Sequence, residues 1–556
     1  MKYNQHFATR QKAPVATPQS DPIPDSGQVP NNAGGFTWAI DKWSQLDRFL
    51  ILGSEGGTYY LSERKQTLLN AQSAAACIAE NGLRVVTRVV EVSDGGRAIS
   101  NDPALYVLAM AAGLGDQATK QAALAALPQV ARTGTHLLHF AEFVQSFRGW
   151  GRGLRSAIGK WYTEKPADRL ARQVLKYGQR DGWSHADLLR LAHPTSDSLE
   201  HKAVFRYALV GWNDEVIERK GKERVVKPGA KSIGLESPVT KLLETVDSLT
   251  AQTPKHVVIN AITDYKLTHE MIPTEFKTDP DVWSALLPHM PMMATVRNLG
   301  NMTKVGLLKP LSAANRTVID RVQNQEQLVK SRIHPLSILV GLKTYAQGHG
   351  VRGSSSWTPV PQICDALDTA FYLAFKAVEP TGKRILYALD VSGSMGMHMG
   401  DKPITCAEAT AALSLVLANV ETNWHVVGFA DQVRDLGIRA SDSLVDACRK
   451  TLALNFGSTD AASAMRWAKE NQIDVDAFVV MTDNETWAGS QHPSQALKQY
   501  RRERNIPDAK LAVVGMVANE CSIADPKDPG MLDVVGFDTA LPDILSQFIG
   551  YELPNS

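Results

Sequence analysis

From Trp38 to about Val378 the apolar residues recur at spacings of three and four. The segment YVLAMAAGL, entered through Asp102-Pro103-Ala104-Leu105, shows this, as do ATKQAALAALPQVA and THLLHFAEFVQSF. This is the period of an amphipathic helix, and the short Pro- or Gly-bearing stretches between such segments read as turns. More than three hundred residues of successive helices with little strand signal predict stacked helical hairpins, an α-solenoid, although no fixed sequence period is present.

The pattern changes near Glu379-Pro380-Thr381-Gly382-Lys383. Short apolar runs (RILYALD, WHVVGFAD, AFVVMTD, KLAVVGMV) then alternate with amphipathic segments (ITCAEATAALSLVLANV, LVDACRKTLALN, AASAMRWAKEN, SQALKQYRRERN). Such βαβ alternation predicts a parallel, doubly wound sheet. Ahead of the helices, Ala13 to Gly35 is rich in Pro, Ser, Asn, Asp and Gly, with too little apolar surface to offset the entropy of ordering. The expected division is a flexible arm over 1–35, a helical-repeat module over 36–378 and an α/β domain over 379–556.

Ligands of doubly wound sheets bind beyond the carboxyl ends of the strands. There the sequence places Asp390-Val391-Ser392-Gly393-Ser394 after one run, Thr482-Asp483 after another, and Gly457-Ser458-Thr459-Asp460 ahead of a helix. Asp390, Ser392, Ser394, Thr459 and Asp483 form an all-oxygen set suited to a hard cation, most naturally Mg²⁺, with one position open for a partner's acid. Taken singly, these residues read as helix caps, the usual role of Ser and Asp in βα loops. Their joint occurrence favours the cation. A second Asp at position 392, as an aspartyl-phosphate enzyme wants, is missing, and Gly382-Lys383 is followed by Arg384 rather than completing a phosphate loop.

Composition narrows the class without naming it. In 556 residues, 44% hydrophobic with 21% charged describes a folded protein of several domains. The net charge of +1 leaves any polyanion affinity to local segregation. Five scattered cysteines with no CxxC argue against a disulfide framework or a zinc site and point to the reducing cytoplasm. No run approaches the length of a membrane span, and the first residues lack a basic-then-apolar leader, so neither export nor membrane insertion is expected.

The set DxSxS at 390–394, Thr459 and Asp483 resembles the metal-ion-dependent adhesion site of von Willebrand factor A domains. Longer stretches, among them NNAGGFTWAIDKWSQLDRFLILGSEGGTYYL, FRGWGRGLRSAIGKWY, QRDGWSHADLLRLAHP, MATVRNLGNMT, RIHPLSILVGLKTY and TDNETWAG, closely resemble the Ro 60 kDa autoantigen family, bacterial members included. The resemblance implies a monomeric, multidomain protein in which a ring of HEAT-like helical repeats, the TROVE module, is closed by a Rossmann-like A domain. It further implies small noncoding Y RNAs on the outer surface, 3′ ends of misfolded RNAs in a central hole, and RNA quality control without catalysis. An exoribonuclease such as polynucleotide phosphorylase, tethered through the Y RNA, is the implied protein partner.

Read independently, the stretch from Gln145 to Arg190 is basic. Arg148, Arg152, Arg155, Lys160, Lys165, Arg169, Arg172, Lys176, Arg180 and Arg190 face only Glu164, Asp168, Asp181 and Asp187. Arg148, Arg152 and Arg155 are spaced to share a helix face, and Lys176 and Arg180 are an i,i+4 pair. This is the concentration of charge that a phosphate backbone requires. The interleaved Trp150, Trp161, Tyr162, Tyr177 and Trp183 are stacking platforms in one reading and core in the more economical one. The resemblance assigns Lys176, Arg180 and His193 to RNA on the outer surface. Arg297, Asn298 and Lys304 are candidates for the hole lining, though a polar interhelix turn would read alike. The rival is a metal-dependent phosphoesterase or ribonuclease using Asp390 and Asp483, and acid count discriminates, because two-metal sites need several carboxylates. A third reading, an adhesion protein, would need no basic belt.

Overall fold

The computed structural model describes residues 16–54, 57–220, 223–351, 354–375, 379–399, 402–453 and 457–551. The three periodic segments are the helices Asp102–Leu114, Gln117–Val130 and Gly134–Gln145. Their starts follow from who serves the unpaired first-turn amides. Asp116 accepts from the Thr119 amide and Thr133 from that of His136, while Asp102–Leu114 carries Pro103 in its first turn, a residue with no amide to leave unpaired. Leu105, Leu108, Leu127, Leu137 and Leu138 meet in one core, all fully buried.

The longest helical run, Glu63–Asp94, breaks at Asn81, where φ is −155° and ψ is 82°. The Asn81 carboxamide accepts from the Arg84 amide at 3.0 Å and so recaps the second half. Beside it, a Cβ on Gly82 would meet Thr119 at 2.3 Å, so glycine lets the next helix approach. The far end of the helical stack returns to this helix. Arg332 donates to the Asp94 carbonyl at 2.8 Å and to its carboxylate at 2.6 Å, across 238 positions. The stack therefore closes on itself.

The α/β domain has a six-stranded sheet in the order Met531–Val535, Lys510–Gly515, Ala477–Thr482, Arg384–Asp390, Asn423–Phe429, Val433–Asp435. The first five strands run parallel, with Val480 opposite Ala388 and Val513 across the central rungs. The sixth is antiparallel, so the sheet is mixed rather than wholly parallel. A short return from Phe429 allows this hairpin, whereas parallel pairing needs a crossover helix. All five cysteines are free, and no helix among the described residues is long and apolar enough to cross a membrane.

The predicted flexible arm is corrected over 16–35; residues 1–15 lie outside the described set. Gln19 is fully buried and donates to Asp460 at 2.6 Å, while its carbonyl oxygen accepts from Thr486. Asn31 donates to the Thr486 carbonyl at 2.6 Å, and Asn32 gives Glu485 two bonds of 2.8 Å. Phe36–Ala39 pairs with both Val29–Pro30 and Cys521–Ser522. Composition misleads here because it weighs apolar surface only. This segment is ordered by satisfying buried polar groups of the α/β loops, which are costly to leave unpaired.

The two modules are joined by cations of the helical part reaching acids and carbonyls of the other. Arg48, fully buried, holds both Asp533 oxygens (2.7 and 2.8 Å), the Asn519 carbonyl and side chain, and the Cys521 carbonyl. Lys343 pairs with Glu408 at 2.6 Å. Two consecutive residues, Phe537 and Asp538, serve both ends of the helical stack. The Phe537 carbonyl accepts from buried His334 at 2.8 Å, and Asp538 pairs with Arg97. Phe537 has φ +57°, the bend that aims both groups outward from one turn.

Candidate cation site and nucleic-acid interface

Asp390 ends the central strand Arg384–Asp390, and Asp483 directly follows its neighbour Ala477–Thr482, so parallel register alone brings the two carboxylates side by side. Both are buried. The Asp390 carboxylate accepts from the Ser392 amide at 2.9 Å and from the Thr482 hydroxyl at 2.6 Å. Ser392 and Ser394 hydroxyls lie 3.2 Å apart; Ser392 hydrogen-bonds Asp390 and Ser394 hydrogen-bonds Asp483. Ser392 sits at the cap position of the turn Gly393–Gly396 but makes no capping bond, which removes the capping explanation for its hydroxyl. Thr459 is buried, and its carbonyl accepts from the Thr486 hydroxyl and the amides of Trp487 and Ala488, docking its loop on the one that follows Asp483.

Burial, and for Asp390 the neighbouring Asp483, raise the affinity of both carboxyls for protons. No basic side chain among the described residues relieves them. Two buried, unneutralised carboxylates framed by hydroxyls are the donor set of a hard cation, and Asp390, Ser392, Ser394, Thr459 and Asp483 would hold it. The next acid along, Glu485, is turned away to Asn32, the Ala33 amide and Asn519. Among the described residues no group of three or more His, Cys, Asp or Glu converges on one point. Asp460 is likewise spent on Arg466 and Gln19.

Sequence reasoning missed Tyr60, which the helical module places against this site. It hydrogen-bonds Ser394, and burial together with the charges of Asp483, Glu485 and Asp390 pushes its phenol up to about 12. Nothing in its local pattern, GTYYL, marks it.

Along the belt, Arg152, Arg155 and Lys160 are exposed on the helix Arg152–Thr163. Arg148 does not share their face: the helix starts only after Gly151, and Arg148 turns inward to the Ala112 carbonyl at 2.7 Å, capping the end of Asp102–Leu114. Lys176 and Arg180 are not a helical pair either. The helix ends at Lys176, which is half-buried 3.3 Å from Glu270, while exposed Arg180 lies on a two-stranded hairpin turned by Asp181 and Gly182, both with positive φ. His193 is exposed in the left-handed C-cap of His185–Ala192. Trp161 and Tyr162 are core, and Trp150 and Trp183 are half-buried with ring centroids 5.3 Å apart.

Arg297, Asn298 and Lys304 belong to a helix, Met292–Lys304, not to an interhelix turn. Arg297 and Lys304, two turns apart, are exposed, and Lys304 donates to Ser355 at 3.2 Å. Asn298 points the other way, buried, donating to the Ala294 carbonyl and accepting from Asn301. Arg297 borders a cavity of about 440 Å³ where the two ends of the helical stack meet. Arg132, His136, Tyr177 and Arg332 also line it, and among the described residues no carboxylate does.

Known proteins match this chain over nearly its whole length. Residues 29–343 match the TROVE domain, and residues 384–549 match the Ro60 vWA domain. A protein of Deinococcus radiodurans named RNA-binding protein RO60 is 40% identical over 96% of this chain and 97% of its own; one of Caenorhabditis elegans with the same name is 37% identical over 94% and 90%. The crystal structure of the Deinococcus radiodurans RO (RSR) protein superposes with a TM-score of 0.67 at 39% identity, covering 92% of this chain and 99% of that one. With a closed helical stack, an A-type sheet bearing DxSxS at its strand end, and both family domains in order, the chain belongs to the Ro60 family.

Proposed function

We propose that the chain is a noncatalytic RNA-binding scaffold acting in RNA quality control, on which a small noncoding Y RNA lies outside and the 3′ ends of misfolded RNAs enter the closed helical stack. Relatives with matching domains are named RNA-binding proteins. The observation that carries the reading is the disposition of charge. Arg152, Arg155, Lys160 and Arg180 are exposed on the belt, and the cavity inside the stack is bordered by Arg132 and Arg297 with no acid among its described lining residues. Phosphate contacts of this kind give affinity without sequence preference, as a surveyor of misfolded RNA requires.

On this reading the strand-end site binds one Mg²⁺-like ion for local structure or recognition, and an exoribonuclease meets the assembly through the RNA. The ribonuclease alternative wants two cations about 4 Å apart among several carboxylates, whereas Asp390 and Asp483 stand with hydroxyls and Glu485 is committed elsewhere. The test is a filter-binding titration of Lys176→Ala/Arg180→Ala/His193→Ala with a structured small RNA and with a tailed RNA. Loss for the first alone supports two sites. Equal loss for both defeats them, and RNA cleavage that disappears in Asp390→Ala would establish the enzyme instead.

A further inference from the structure

We infer that the helical module carries a pocket for the last unpaired base of an RNA 3′ end, with Arg297 at its mouth; the inference rests on the reading that tails enter the closed stack. A second cavity, of about 330 Å³, lies between the helices Met292–Lys304 and Pro335–Ala346 and reaches Lys402 of the α/β domain. It shares Met293, Arg297 and Ser337 with the 440 Å³ cavity, so the two are adjacent chambers with a common wall that carries Arg297. Among the described residues, neither is lined by an Asp or Glu. Arg132 and Arg297 give these chambers a cationic border that is complementary to a polyanion, whereas Arg332 is engaged by Asp94.

The inner chamber has a wall of two stacked rings, where the outer one is bordered by the rings of Tyr177 and His136. Trp357 is stacked on Tyr345 with planes 15° apart, and its indole N–H donates to the Tyr345 carbonyl at 2.9 Å. The Tyr345 hydroxyl is held between the Thr303 hydroxyl and the Val360 amide. These rings are fixed before anything binds, so stacking on them orders little that is not already ordered. Glycines let the walls of the chamber pack closely: a Cβ on Gly300 would stand 2.7 Å from the Trp357 ring, and one on Gly341 would stand 2.3 Å from Val296.

The volume is at the low end of small-molecule pockets, ~300–1,000 Å³, which suits one base and excludes a duplex end. Stacking combined with cationic contacts accepts any base identity. A free 3′ terminus is the part of a misfolded RNA that supplies an unpaired base at the end of a phosphate chain.

The experiment uses the full-length protein and a hairpin RNA with an unpaired 3′ tail, carrying 2-aminopurine either as its last base or in the middle of the tail. The terminal probe is expected to be quenched on binding and the central probe much less so; this comparison needs no variant. Thr344→Phe, which fills the chamber, and Trp357→Ala should each abolish the terminal response and weaken the tailed RNA by about tenfold. Binding of a structured RNA without a tail should stay unchanged. Equal quenching of both probes, or a terminal response that persists in Thr344→Phe, overturns the pocket while tail entry stands. Equal binding of tailed and blunt RNA by the wild type overturns tail entry itself and the pocket with it. Quenching of free 2-aminopurine riboside monophosphate to the same extent at the same concentration would make this a nucleotide site and also overturn the inference.

Discussion

The helical module and the α/β domain treat charge in opposite ways. The first displays the cations Arg152, Arg155, Lys160, Arg180 and Arg297 on exposed surfaces, the last of them also bordering a cavity with no carboxylate among its described lining residues. The second buries acids: Asp390, Asp483 and Glu485 are each at most 4% exposed. An exposed cation costs little and waits for a mobile polyanion, whereas a buried carboxylate pair is a standing penalty that a resident cation relieves. On the proposed reading, unpaired charge thus means a transient ligand in one region and a permanent one in the other.

The sharpest way to break this contrast is Asp390→Ala. It should abolish calorimetric binding of Mg²⁺ while changing RNA affinity less than about twofold, because the belt lies in the other module; unchanged metal affinity would remove the cation site. Next is the junction. Arg48→Ala leaves Asp533 and Asn519 without the guanidinium that satisfies them, and breaking a buried pair from one side typically costs ~3–5 kcal/mol, readable by urea denaturation.

The triple variant at Lys176, Arg180 and His193 should weaken a structured RNA by about 2–4 kcal/mol, below the sum of charge-assisted contacts of roughly 1.5–3 kcal/mol each, because such couplings are seldom additive. Lys176 should give the smallest share, since Glu270 competes for it.

Protons sharpen the comparison further, because the two regions respond with opposite sign. Burial lowers His136, His185 and His334 to about 4 from 6.5, so between these values the unfolded chain takes up protons that the folded one refuses. Stability conferred by these three is intact above pH 6.5 and is lost as pH falls toward 4, at about 1.4 kcal/mol per unit for each. His334→Gln should flatten that slope in urea titrations between pH 7 and 5. Asp390 and Asp483 work in reverse: raised in the folded state, they favour folding at low pH and lose that contribution as pH rises, so added Mg²⁺ should raise the melting temperature more at pH 8 than at pH 5. The smallest effect is at Arg297. Its replacement by Ala should reduce the salt slope for a tailed RNA by about 0.7 and leave tail-sequence preference untouched.

The strand-end cluster was legible because its parts are local: DxSxS is five consecutive residues leaving a strand, and parallel pairing of RILYALD with AFVVM puts Asp483 beside it. The helices were legible for the same reason. The inner chambers were not, since Arg132, Arg297, Arg332 and Lys402 meet only through ring closure, and no periodicity encodes contacts across hundreds of positions. Arg148 was misread by one turn of helix, a matter of Gly151 rather than Arg148 setting the start. The segment 16–35 was misread because carboxamides such as Gln19 and Asn32 bond to buried partners that composition does not count.

The turn at Phe537 and Asp538 has a topological consequence. One bracket grips both lips of the helical stack, through His334 and Arg97, while the direct clasp between Arg332 and Asp94 is a solvent-exposed pair of the kind worth ~0–1 kcal/mol. The α/β domain is therefore the keeper of a split washer. Undocking it removes that bracket, so on the proposed reading an RNA end held within the stack and the seating of the keeper strengthen each other by the same factor.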